Sequence, residues 1–167
     1  MKPLFITIAI LLLLTSCVDY PKLISGKYVE GPYTFATRRP YDSVWHDVTD
    51  YFTVNKLSLR IADSLNGRIG TYYMARKDKI SYEKNGVIAD KNAWLVLGAG
   101  GSPYLTALTW QWDVSLNKTD TGVLVCVRPL NVTVYKTVRG GYGYRYNWLS
   151  TGVFEKMLEE RVKTGKR

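Results

Sequence analysis

Leu108, Trp110, Trp112, Val114 and Leu116 alternate with Thr109, Gln111, Asp113 and Ser115. Side chains of a strand point to opposite faces at period two, so this stretch has one apolar and one polar face. An apolar face carrying two tryptophans has to be covered. Two helical patterns, one on each side in sequence, supply the cover. Val44, Trp45, Val48, Tyr51 and Phe52 follow Pro40 at i, i+1, i+4, i+7 and i+8, with Asp42 or Ser43 as N-cap. Val153, Phe154, Met157, Leu158 and Val162 repeat at the same spacing after a Ser150 or Thr151 cap, and Gly165 stops that helix.

The stretches between read as strands. Tyr28–Phe35 suits a short edge strand. Leu57, Leu59 and Ile61 alternate with polar or small residues, Asp63-Ser64-Leu65-Asn66-Gly67 is a turn, and Arg68–Met74 returns as a hairpin. Residues 75–92 are charged and read as a long loop, with a short strand near 80–82. Ala93–Leu97 is a strand stopped by the Gly98–Pro103 cluster. Val123–Val127, apolar on both faces, reads as a central strand. Pro129 marks a bulge or bend, Val132–Arg139 continues, Gly140-Gly141 turns, and Tyr142–Trp148 runs back. The expected fold is α+β: an antiparallel sheet of five to seven strands with a helix near each end, forming a single domain over 28–167.

The first residues stand apart from that domain. Lys2 precedes an apolar run, Leu4–Leu14, broken only by Thr7. As a helix the run reaches about 16 Å, roughly half a bilayer core, which suits a signal-peptide h-region and not a span. Leu14-Thr15-Ser16-Cys17 follows, and this arrangement resembles the lipobox of bacterial lipoproteins. The resemblance implies cleavage before Cys17, lipidation of that thiol, a signal peptide over 1–16 and a tether over 17–27. The competing reading is an ordinary secretory signal with an incidental cysteine. Val18 after the lipidated residue is not the retention aspartate of the familiar proteobacterial pattern, which points to the outer membrane of a Gram-negative cell. Over 40–165, the run Tyr41–Trp45, the strand Leu57–Asp63, its turn and the closing Thr151–Glu155 are similar to helix-grip modules. Such modules occur in BamC-type lipoproteins of the outer-membrane β-barrel assembly machinery.

The chain has 23 Lys and Arg against 14 Asp and Glu, a formal net charge of +9, and the leader takes away only Lys2. That balance favours acidic surfaces such as anionic headgroups or acidic glycans, against the reading of a generally basic soluble surface. An exported lipoprotein rarely meets nucleic acid, so none is expected. Only two cysteines occur; with Cys17 lipidated, Cys126 in Val-Leu-Val-Cys-Val reads as a buried, inert thiol.

Catalytic patterns are thin. His46 is the single histidine, no nucleophile elbow accompanies it, and one histidine does not anchor the usual zinc set. Asp42, Asp47, Asp50, Asp63, Asp113 and Asp120 fall mostly on helix faces and turns, with no spacing that marks a catalytic pair. Gly98–Ser102 lacks the Gly-Lys-Ser/Thr ending of a phosphate loop. No enzyme, cofactor or metal is expected. Arg139–Trp148 is the candidate binding segment. Tyr142, Tyr144, Tyr146 and Trp148 lie at period two, Arg145 adds charge, and a Gly140-Gly141 turn places Tyr135 opposite Tyr146. Such a ribbon suits a partner protein or stacked sugar rings; the alternative is cross-strand packing over the sheet. The function expected is a lipid-anchored, non-enzymatic envelope accessory that binds another envelope component. The alternative is a glycan- or lipid-binding module.

Overall fold

A computed structural model describes residues 24, 26–84, 86–98, 107–137, 143–145 and 147–166, with backbone alone at 84, 107, 134–137 and 143–145. Its order is β1 (Tyr33–Thr37), α1 (Tyr41–Val54), β2 (Leu59–Asp63), β3 (Arg68–Thr71), a 3-10 turn (Lys77–Lys79), β4 (Ile80–Lys84), β5 (Val87–Ile88), β6 (Leu95–Leu97), β7 (Ala107–Thr119), β8 (Gly122–Thr137), β9 (Gly143–Arg145), β10 (Trp148–Ser150) and α2 (Val153–Thr164). The α+β class and the helix near each end are as the periodicities require. The strands form two sheets, not one. The larger is antiparallel, ordered β1-β8-β7-β3-β2, with β9 also on β8. The smaller is ordered β10-β6-β4-β5, and its β4 and β6 are parallel. The short strand expected near 80–82 is present as β4 and runs two residues further, with the polar Ser81 and Glu83 buried in it.

The alternation of apolar and polar residues over 108–116 is realised in β7. Leu108, Trp110, Trp112, Val114 and Leu116 all lie in one core cluster. Phe154, in the first turn of α2, is its hub. Its ring stacks on Trp112 at 3.9 Å between centroids and meets Trp94 at 4.9 Å, Tyr51 at 5.3 Å and Phe52 at 5.7 Å. Two helices, both sheets and one ring thus share a single core. Phe52 and Leu158 are fully buried, whereas Trp45 is half-buried at the rim, stacked on Tyr41. Ion pairs Arg161–Asp50 and Arg39–Asp47 tie α2 to α1 and α1 to the segment before it.

Three local expectations change. Pro40 and not Asp42 or Ser43 caps α1, because its carbonyl accepts from the Val44 N–H at 3.1 Å and its own nitrogen has no hydrogen to satisfy. Gly152, in a left-handed conformation, caps α2, while the Thr151 hydroxyl accepts from the Val153 N–H at 3.2 Å. Cys126 is half-buried and not buried. It lies on the face of β8 opposite Val123, Val125 and Val127; Leu124 on that same face is exposed, so no helix covers it.

Candidate functional site

β7 covers one edge of β8 along nearly its whole length. On the other edge β1 pairs with Val123–Val127 and β9 with Tyr135–Thr137. Between them, over 128–134, no described strand pairs with β8. The reason is local. Gln111 pairs with Leu130 but Thr109 pairs with Thr133, so β8 carries one extra residue opposite Trp110. Asn131 takes a left-handed conformation there, φ 51°. Pro129 has no N–H to offer. A kinked edge with a missing donor is a poor template for another strand.

The chain before β1 turns away from this edge and bridges to β10, the Val29 N–H donating to Ser150 O at 3.0 Å. A cavity of about 860 Å³ opens between β8, the Ile24–Gly31 segment and β10. Ile24, Val29, Pro129, Val132, Trp148 and Leu149 supply its apolar surface; Arg128, Asn131 and Asn147 supply polar groups. Arg128 donates to Asp113 at 3.2 Å, and Arg68 approaches the same carboxylate at 3.6 Å. Two guanidinium groups on one carboxylate leave this side positive. The Asn131 amide donates to Gln111 Oε1 at 2.7 Å, which holds the bulge open.

Ser150 lies at the inner end. Its hydroxyl donates to Glu155 at 2.5 Å and accepts from the Gly152 N–H at 3.2 Å, so it joins β10 to α2. Glu155 is fully buried, and burial pushes its carboxyl pKa up, against the opposing Ser150 hydrogen bond. Its second oxygen has no hydrogen-bond partner among the described residues. These are the contacts of a structural junction: the hydroxyl is committed on both sides.

Trp148 lines the cavity, half-buried, paired with Leu97 and packed on the core. The rest of the expected ribbon is rearranged. β9 ends at Arg145 and belongs to the larger sheet, whereas Trp148 opens β10 in the smaller one. Trp148 and Tyr144 therefore do not share a strand. Tyr135 pairs with Arg145 and not with Tyr146, and Lys136 pairs with Tyr144, because Thr137 meets Gly143. The pairing is one residue out of the register that a Gly140-Gly141 two-residue turn requires, and residues 138–142 lie outside the described residues. Cys17, Tyr142 and Tyr146 lie outside the described residues. His46 is exposed on α1. Asp47, Asp50 and Asp113 are paired with arginines, and Asp63 closes its turn by accepting from Leu65 and Asn66. No metal-ligating group of three side chains occurs among the described residues. Sequence reading missed Asn131 and Arg128 as site residues. The signal for Asn131 was a turn-forming residue two positions after Pro129, inside a strand pattern. The chain matches no protein-family model and no curated protein.

Proposed function

We propose that this chain is a lipid-anchored protein of the bacterial envelope that acts without catalysis, by binding another envelope component in the cavity between β8 and β10. The observation that carries the reading is that cavity: its size and its largely apolar lining with a few fixed polar groups are those of binding sites generally. Leu14-Thr15-Ser16-Cys17, after an apolar run too short to span, supports the lipid anchor. No helix among the described residues is long and apolar enough to cross a membrane. A lipid on Cys17 would place the domain within a short tether of the bilayer, probing whatever envelope protein lies beside it. The acyl chains contribute about 0.8 kcal/mol per buried CH₂.

A photo-crosslinking side chain at Asn147, which is exposed at the cavity, tests the reading in intact envelopes. The control is the same group at Lys91, exposed and outside the cavity lining. A discrete adduct from position 147 that is absent from position 91 and lost in Val132→Trp is the expected result. Identical products from both positions would remove the cavity from the proposal.

A further inference from the structure

A second irregularity lies on the other side of β7. Gly70 of β3 pairs with Asp113, yet Met74 pairs with Trp110, so the chain from β3 carries one residue more than β7 opposite it. The surplus falls at Tyr72–Tyr73, which leave the pairing with β7, the Tyr72 N–H donating instead to Ser58 O at 3.0 Å, and both residues are exposed, 56 % and 60 %. Side chains repair the interrupted ladder. Thr71 Oγ1 accepts from the Trp112 N–H at 2.9 Å, and the Gln111 amide donates to Thr71 O at 3.0 Å. Beside these rings runs a groove of about 420 Å³ between Lys56–Ser58 and Tyr72–Met74, ending at Arg76.

Lys56 occupies the left-handed position that ends α1, φ 57°. The Lys56 N–H donates to Thr53 O and the Leu57 N–H to Phe52 O, both at 2.9 Å, the two bonds of a Schellman terminus. Glycine is the usual residue there, because a side chain is strained in that conformation. No hydrogen bond or ion pair holds the Lys56 side chain among the described residues. Those two backbone bonds are what offsets the strain among the described residues, and the Lys56 ammonium stands unpaired in the groove wall. Arg76, Lys77 and Lys79 follow at one end. Asp78 is the one acid in that run, and Arg76 and Lys79 already share it.

We propose that this groove binds a polyanionic glycan chain, one bearing carboxylate groups on its sugar rings. Adjacent exposed tyrosines and Met74 offer flat apolar surface for the C–H faces of pyranose rings. Lys56 and the Arg76–Lys79 run complement charge repeated along such a chain. The groove is concave, and of its two lining cations Lys56 is unpaired among the described residues while Arg76 is held by Asp78 and the Asn55 carbonyl. That suits ring faces and repeated charge better than a flat bilayer or the shaped side chains of a peptide. The site shares no lining residue with the cavity at β10, so either proposal can fail alone.

The test uses the full chain in neutral detergent and an oligogalacturonate as probe, with an uncharged glucose oligomer of equal length as control. The expected result is binding of the anionic oligomer alone, weakened by salt. Lys56→Gly should lower affinity about threefold to tenfold while leaving the melting temperature unchanged or higher, since the backbone strain is relieved. Tyr72→Ser with Tyr73→Ser should also weaken binding, and both positions are exposed, so folding is retained. Equal binding of both oligomers would overturn the proposal. So would wild-type affinity in Lys56→Gly, or preferential capture of a polyglutamate peptide or phosphatidylglycerol vesicles over the oligogalacturonate.

Discussion

β7 is flanked by two irregular regions, each with one surplus residue and each close to one of the two non-glycine residues that adopt a left-handed backbone among those described. At the cavity the residue is Asn131; at the groove it is Lys56. Asparagine tolerates that conformation and here is held by its bond to Gln111. Lysine does not, and its side chain is held by nothing described. The first irregularity is explained within the fold. The second closes the helix through backbone bonds alone and leaves its side chain unpartnered among the described residues, which is the observation the glycan proposal rests on. Gln111 links the two regions: its amide nitrogen serves Thr71 and its amide oxygen serves Asn131.

Phe154→Ala removes the ring at the hub of the shared core, at a cost of about 3–5 kcal/mol. A thermal melt should show a large drop, and both binding activities should fall with the folded fraction; a drop of a degree or two would mean that the ring is not the hub. Gln111→Leu keeps the volume but takes the amide donor from the buried Thr71 carbonyl and releases the exposed Asn131, for about 1–3 kcal/mol at the buried end. Denaturant unfolding should show that loss, and both sites should weaken together. If one site weakens and the other does not, the bulges are independent.

A pH series on Glu155→Gln separates the core junction from both sites. The folded pKa of Glu155 is raised, so its contribution is fully present below the unfolded carboxyl pKa and is lost as pH rises through the folded value. The variant should therefore gain stability relative to wild type as pH rises from 4 to 8. A constant difference across that range would mean the carboxyl is not perturbed. The smallest effect is Lys56→Gly, a gain of up to about 1 kcal/mol from relieved backbone strain, measured as the denaturation midpoint. A loss would show that Lys56 makes a contact that holds the fold.

Much of the architecture was legible in order. The β7 alternation, both helical faces, the Asn66-Gly67 turn and the Gly165 stop are all near-neighbour patterns, set by the period of a strand, the period of a helix and the backbone freedom of glycine. At Gly67, φ is 63° and an added Cβ would meet the Leu116 carbonyl oxygen at 2.1 Å, so the turn admits little else. The two bulges were less so. Pro129 marked one of them, and nothing marked Tyr72–Tyr73, which read as the tail of an ordinary strand.

By itself, the sequence determined the α+β class, the position of the helices and, through residues 1–17, the expected address of the chain. Only the tertiary structure decided that there are two sheets, that Trp148 and Tyr144 belong to different ones, and that Arg128, Asn131 and Trp148 meet at one cavity. The physical reason is register. Periodicity says which residues share a face of one strand, but a single surplus residue shifts every pairing beyond it, and that surplus becomes visible only when the partner strand is in place.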